Sequence, residues 1–551
     1  MSQGSQDVIR GRIDLGDVQQ ELRSLAPDVL IVVALLVAGW KLTAGLESGM
    51  DIVLSDESYY LYQGVELATK GLPVAEQAPL YALWYYFLSF WTPGRIGLFY
   101  LNFQTLTILL PAALYVPLRR YHVPILESAV IAFFFLVAKG NLPTDPKVYH
   151  FALLLTLIFF VVSSMAKSLV AQLAWLSIGA LSVSYVRPEL FVAFVLFAVL
   201  LLGAAVLEFK KLRFSPVVVL LPVLLISWFF VSLFGLPIGS GGRSFLAFGQ
   251  HFSINWVNWT GSKLSPWTDW EQIVQQNFGN VHSIAGALAA NPVLFSKHIA
   301  TNIIHLPKYL LLDVFFDHLN IVLPYQFETL EAFLFLGALA FYLFVARAKW
   351  RPALKERFRA NQRLMVFIGC YLFASLVTVI AIFPRYHYLF FMGTMLTLAM
   401  GILLASGNSA RSPSLRQSAV LGFVIIGLTP HAVAYPAFSG AKSNEDAIQF
   451  IRSMHVGAPV NLLEAQGGLH IYLGDNFNRV ADYEKNESFD AFRVDRQINM
   501  IVVTDNLQND IRFSSDPEWK TFLKDYVALG YIEKDIPGTP WQLIVARELL
   551  R

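Results

Sequence analysis

The chain has 551 residues, is 56% hydrophobic and only 15% charged, and carries a formal net charge of +2. A mean hydropathy of +0.53 and a charge content below the roughly 25% of soluble domains exclude a soluble globular protein, because repeated apolar runs of about 20 residues cannot all be hidden in one core. The single cysteine, Cys370, excludes an intrachain disulfide and, lying in an apolar run, reads as a small buried hydrophobe.

Met1 to Ala26 is polar, mixes acids with Arg10, Arg12 and Arg23, and meets no small-residue cleavage site. Residues 1–27 are therefore expected to be a retained cytoplasmic leader rather than a signal peptide. Apolar runs follow at about 28–46, 96–116, 125–138, 151–165, 171–186, 190–207, 217–234, 332–345, 364–383, 389–405 and 419–434. The expected fold class is a polytopic α-helical membrane protein with about eleven spans in residues 28–436.

Orientation is read from the basic loops. Arg119-Arg120, Lys167, Lys210-Lys211 with Arg213, the run from Arg347 to Arg363, and Arg411 with Arg416 alternate with loops poor in Lys and Arg. The basic set and the N-terminus are assigned to the cytoplasm. The outer face then receives loops 47–95, 139–150 and 235–331 and the tail 437–551, and a bacterial plasma membrane is the expected location.

Loop 235–331 is rich in aromatic residues, including Trp256, Trp259, Trp267, Trp270 and Phe278, and reads as amphipathic helices lying on the outer surface. Its histidines, His251, His282, His298, His305 and His318, lack zinc-site spacing. The tail 437–551 reads as a small soluble α/β domain. Ser443 with Asp446 is expected to cap a helix, and residues 499–504 read as a buried strand. Asp516-Pro517 opens a helix through Val527 that Gly530 closes, and residues 541–546 form a final strand. The tail has no G-x-G-x-x-G or G-K-[ST] pattern, so nucleotide binding has no support.

The stretch that draws chemistry is Ser55-Asp56-Glu57-Ser58-Tyr59-Tyr60, just past the first apolar run. Ser55 is expected to cap a helix running to about Lys70, closed by Gly71 and Pro73. Acids in a first turn suit any helix start. The same placement keeps a carboxylate ionised, as a general base requires. Three further clusters fall on the outer side. Asp145 and Lys147 lie in Asn141–His150, which reads either as a solvated turn with an interfacial lysine or as a contact for an acceptor, a phosphate or a metal. Arg187-Pro188-Glu189 is either a pair that pins a tight turn or a pocket wall facing donor phosphate or sugar. Arg385-Tyr386, in Phe383-Pro384-Arg385-Tyr386-His387-Tyr388, is either an interfacial anchor or a phosphate grip, since the guanidinium fork matches phosphate oxygens.

The first-loop acids are followed by Gln77-Ala78-Pro79-Leu80-Tyr81 and an aromatic run from Trp84 to Trp91. With that context, the order and sidedness of these groups resemble the GT-C superfamily of integral membrane glycosyltransferases. The nearest branch is the one that includes protein O-mannosyltransferases and the aminoarabinose transferases of lipid A. The resemblance covers most of the chain. It implies inverting transfer of a hexose or pentose from a polyprenyl-phosphate-linked donor to a hydroxyl acceptor on a glycan, lipid or protein. It implies Asp56 as general base, Glu57 as a positioning acid, and Arg385 with Tyr386 on the donor phosphate. Arg187, Glu189, Asp145, Lys147, Tyr59 and Tyr60 would complete the pocket. Membrane lipids are the surroundings, no nucleic acid partner is expected, no cofactor is certain, and the site leaves room for a divalent metal. A multi-pass transporter is the first alternative, although the charges gather at outer span ends rather than mid-span. A non-catalytic cell-envelope assembly protein using the tail as a binding domain is the second.

Overall fold

The computed structural model describes residues 15–138, 140–141, 147–208, 217–238, 242–309, 354–382, 386–405, 415–432, 441–456, 459–481, 487–510 and 512–550. Its apolar runs are helical, as a bilayer demands when every backbone polar group must be paired within its own segment. Five helical segments are long and apolar enough to cross a membrane: Leu25–Gly49, Arg95–Arg120, Val148–Met165, Pro188–Glu208 and Gln362–Ile382. Five shorter apolar helices accompany them. Each described apolar run of the sequence thus coincides with a helix; the run 332–345 lies outside the described residues.

Helix α1 (Leu15–Thr43) leads to the first loop, which contains α2 (Asp56–Val65) and α3 (Pro79–Leu88). Then come α4 (Arg95–Arg120), α5 (Ile125–Val137), α6 (Val148–Met165), α7 (Leu169–Ser184), α8 (Phe191–Glu208) and α9 (Val217–Phe234). The long loop supplies α10 (Arg243–Thr260), α11 (Trp270–Phe278), α12 (Ile284–Ala290) and α13 (Pro292–Tyr309), and the bundle closes with α14 (Gln362–Ile382), α15 (Tyr386–Leu404) and α16 (Leu415–Ala432). α1 packs along α4 and α16, α7 lies against α6, α8 and α9, and α14 touches α8, α15 and the loop helices α10 and α13.

The loop helices carry a small core of their own, built from Phe245, Phe248, Phe252, Ile273, Val274, Phe278 and Ala287. They are pinned to the end of α14 by a buried polar network. Asn302 Nδ2 donates to Ile380 O at 2.8 Å, Asn255 Nδ2 meets His298 Nδ1 at 2.9 Å, and His298 Nε2 meets Ala381 O at 3.2 Å. Burial pushes His298 down to about 4, so the ring is neutral at neutral pH and serves the network with one donor and one acceptor.

Beyond α17 (Ser443–Ser453) the tail folds into a five-stranded sheet of order β2-β1-β3-β5-β4. The strands are β1 (Val460–Leu463), β2 (Phe477–Arg479), β3 (Met500–Val503), β4 (Tyr531–Asp535) and β5 (Gln542–Ala546). β2, β1 and β3 run parallel, and β5 and β4 close the sheet antiparallel. Asp516 caps the helix Pro517–Asp525 as its sequence foretells, accepting from Glu518 N at 2.8 Å. Ser443 does not cap α17. That role falls to Asp51, from the first loop, whose carboxylate accepts from Asn444 N at 2.9 Å and Glu445 N at 3.0 Å. The tail thereby docks on the first loop, and one apolar core runs from bundle residues such as Phe103 and Leu157 into the sheet at Leu462 and Val502.

Candidate active site

α2 starts at Asp56, as its acids suggest, but it ends at Val65, and a separate short turn spans Leu67–Lys70. Ser55 stands at the cap position without a capping bond to the helix. Its φ of 152° and ψ of −133° are glycine-type values that cost a side-chain-bearing residue about 1–3 kcal/mol. The turn that presents Asp56 is therefore strained and is held in place by its surroundings.

Those surroundings centre on Glu57. Its side chain is fully buried. Oε1 accepts from Tyr81 Oη at 2.6 Å and Asn102 Nδ2 at 2.9 Å, and also from Tyr85 Oη; Oε2 accepts from Lys147 N at 2.7 Å. One carboxylate thus ties α2 to α3, to α4 and to the start of α6. Burial raises the Glu57 carboxyl above the ordinary glutamate value, against the pull of the Tyr81, Tyr85 and Lys147 donors. α2 and α3 approach closely at Gly64, where a Cβ would stand 2.4 Å from Tyr85 Cβ and 2.7 Å from Ala82 O.

Asp56 turns the other way. Its side chain is 60% exposed and Oδ2 lies 3.2 Å from Arg243 Nη2. The Arg243 guanidinium also sits 5.4 Å from the centre of the buried Tyr60 ring. Its backbone N donates to Oε2 of the buried Glu76 at 2.9 Å. The first loop therefore grips Arg243 twice, by backbone and by side chain.

Arg187 acts electrostatically on both Tyr60 and Arg243. It is buried and donates from Nη2 to Glu189 Oε1 at 2.7 Å and to Tyr388 Oη at 3.4 Å. Its guanidinium lies 4.4 Å from the Tyr149 ring centre. Its Nε is buried without a hydrogen-bond partner among the described residues, an uncompensated donor that such a site does not carry without reason. Burial pushes the Tyr60 phenol up, while the charges of Arg243 and Arg187 both pull it down, so the two cations act on one ring.

Of the residues expected from sequence, Asp56, Tyr60, Arg187 and Glu189 are brought together. Tyr59 faces the tail instead, its hydroxyl accepting from Arg479 Nη1 at 3.0 Å. Lys147 is buried beside the Glu57 node, its Nζ donating to Asn141 O at 2.8 Å. Asp145 and Arg385 lie outside the described residues, and Tyr386 opens α15. Among the described residues no group of three or more His, Cys, Asp or Glu gathers to hold a metal ion.

Arg243 is the residue that sequence reasoning missed, together with Glu76, Tyr149 and Tyr388. A signal existed. Arg243 opens a helix after Gly242, where the helix dipole disfavours a cation. An arginine placed against its own helix dipole needs acids from elsewhere.

No protein-family model matches the chain, and no curated protein matches it. Among solved structures, the chain is similar to ArnT from Cupriavidus metallidurans, crystallised bound to undecaprenyl phosphate, over 94% of this chain and 97% of that one, at 14% identity and a TM-score of 0.36.

Proposed function

We propose that the chain is an integral membrane glycosyltransferase of GT-C type, moving a sugar from a polyprenyl-phosphate-linked donor to a hydroxyl acceptor at the outer face with inversion. The observation that carries this reading is the Asp56–Arg243 pair, an exposed carboxylate on a strained turn, set against a guanidinium that acts on the same buried Tyr60 ring as the buried Arg187. Asp56 takes the proton of the acceptor hydroxyl, and the oxygen attacks the anomeric carbon from the face opposite the donor phosphate. The bond from that carbon to the phosphate oxygen breaks, and the lipid phosphate leaves with the electron pair. Negative charge grows on the leaving phosphate, so a preplaced cation lowers the barrier. Arg385, the residue favoured by the family resemblance, shares that task with Arg243 and Arg187. A phosphate is a better bidentate partner for Arg243 than the single contact to Asp56. Donor arrival therefore draws the guanidinium away and frees the carboxylate to act as base. Glu57 positions Asp56 by locking the helix beneath it.

The test is complementation of a deletion strain with Asp56→Asn. Mass spectrometry of lipid-linked sugars and surface glycans is expected to match the deletion, with the protein present in the membrane at its normal level and Tm. Restoration of the full glycan pattern by Asp56→Asn removes Asp56 as base.

A further inference from the structure

The far end of the bundle holds a second charged site. α4 starts at Arg95, whose Nη2 pairs with Asp475 of the tail at 2.8 Å, and ends at Arg120. With 26 residues, it is about 39 Å long, so its last turn lies at the opposite end of the bundle from its first. There Arg120, Arg357, Arg359 and Arg363 line a cavity of about 910 Å³ whose apolar wall includes Phe367 and Ile402.

These four arginines lack the usual remedy for clustered charge. Among the described residues no Asp or Glu lines the cavity. Among the described residues none of the four stands in an ion pair. Their neighbour Arg119 shows the contrast, since it meets Asp28 at 2.6 Å. Among the described residues Arg120 donates to Ser164 alone, at 3.2 Å from Nε and 3.4 Å from Nη2, and Arg357 to Leu403 O alone at 3.4 Å. Arg359 and Arg363 are exposed. The basic-loop pattern assigns this end of the bundle to the cytoplasm.

We propose that this cavity binds a phosphate-bearing anion, the head group of an anionic phospholipid from the leaflet opposite the candidate active site. The guanidinium fork fits phosphate oxygens. Basic pockets between helices on this side of a membrane attract such heads. Phe358, exposed between Arg357 and Arg359, and Met165, exposed beside Ser164, offer an acyl chain an apolar surface that a free phosphate has no use for. The site is independent of the transfer chemistry, so its fate does not depend on the activity of the enzyme.

The full chain, purified in detergent, is offered equal amounts of phosphatidylglycerol and phosphatidylcholine, and retained lipid is read by native mass spectrometry. Phosphatidylglycerol is expected to be retained in preference. Arg359→Gln with Arg363→Gln is expected to lower that preference about 10- to 30-fold, at about 1 kcal/mol per basic residue, and the double Lys variant to keep most of it. Inorganic pyrophosphate forms the second arm. Saturable pyrophosphate binding that the Gln pair abolishes, without any lipid preference, keeps the anion site and moves its source to solution. Equal retention of the two lipids together with no pyrophosphate binding overturns the proposal. So does a lipid preference that the Gln pair leaves unchanged in a protein of normal Tm.

Discussion

Asp56 and Glu57 are consecutive, share one helical turn and carry the same functional group, yet they live in different regions of the molecule. Around Glu57 everything is filled: the carboxylate takes donors from Tyr81, Tyr85, Asn102 and the Lys147 backbone. Around Asp56 little is fixed, with one ion pair at 3.2 Å and 60% of the side chain in the open. Successive side chains on a helix point about 100° apart, so one acid is given to the core and the other to the surface. A buried, saturated carboxylate anchors structure; an exposed one with an exchangeable partner is free for chemistry. The pairing of roles follows from geometry rather than from residue type.

The comparison breaks most sharply in exchange experiments. Asp56→Asn is expected to lower sugar transfer by about 10²–10⁴-fold, the range for a general base, without moving Tm. If it unfolds the protein instead, Asp56 belongs with Glu57. Glu57→Ala is expected to cost about 4 kcal/mol, because it strands several buried donors at once; thermal unfolding in detergent reads it as a large fall in Tm and poor expression. Gly64→Ala strikes the same region from the packing side. Its Cβ would meet Tyr85 Cβ and Ala82 O, neither of which is a flexible tip, and a loss of about 2 kcal/mol is expected. An unaffected Tm there would show that α2 and α3 are not tightly docked.

Two finer tests separate charge from shape. Burial raises the Glu57 carboxyl, so the folded chain holds that proton more tightly than the unfolded chain does. Stability is therefore gained as pH falls through the interval between the two values and is lost as it rises again. Glu57→Gln has no proton to take up. Wild-type Tm should gain on the Gln variant as pH is lowered from neutral, and a gap that widens the other way would mark Glu57 as held ionised. Ser55→Gly relieves a glycine-type backbone and is expected to raise stability by about 1 kcal/mol. A fall in transfer alongside that gain would show that the strain helps to aim Asp56.

Much of this was legible in the sequence, and the gaps have a common cause. Apolar runs announce helices because length and hydrophobicity act locally, and the acids at 56 and 57 announce a helix start for the same reason. The short helix of Pro517–Asp525 and its Asp516 cap are equally local. What escaped was set by partners far along the chain. Arg243 meets Asp56 across 187 positions, and α17 is capped by Asp51 rather than by Ser443. Which of two adjacent acids is buried was likewise invisible, because it depends on α3 and α4 arriving on one side of α2. The Arg187–Glu189 pair was found because its partners are two residues apart; the tyrosines stacked on it were not.

The docking of the tail has a consequence for how the protein is made. Ser58 hydrogen-bonds Tyr472 at 2.9 Å across 414 positions, and Asp51 holds the start of α17. The first loop is translated early, and these tail contacts to it are completed only once the tail has been made. Until then the first loop has the Glu57 contacts to Tyr81, Tyr85, Asn102 and the Lys147 backbone but not those to the tail. A chain stalled or clipped before residue 444 keeps Asp56 and Arg243 but lacks both tail contacts to the loop that carries Asp56.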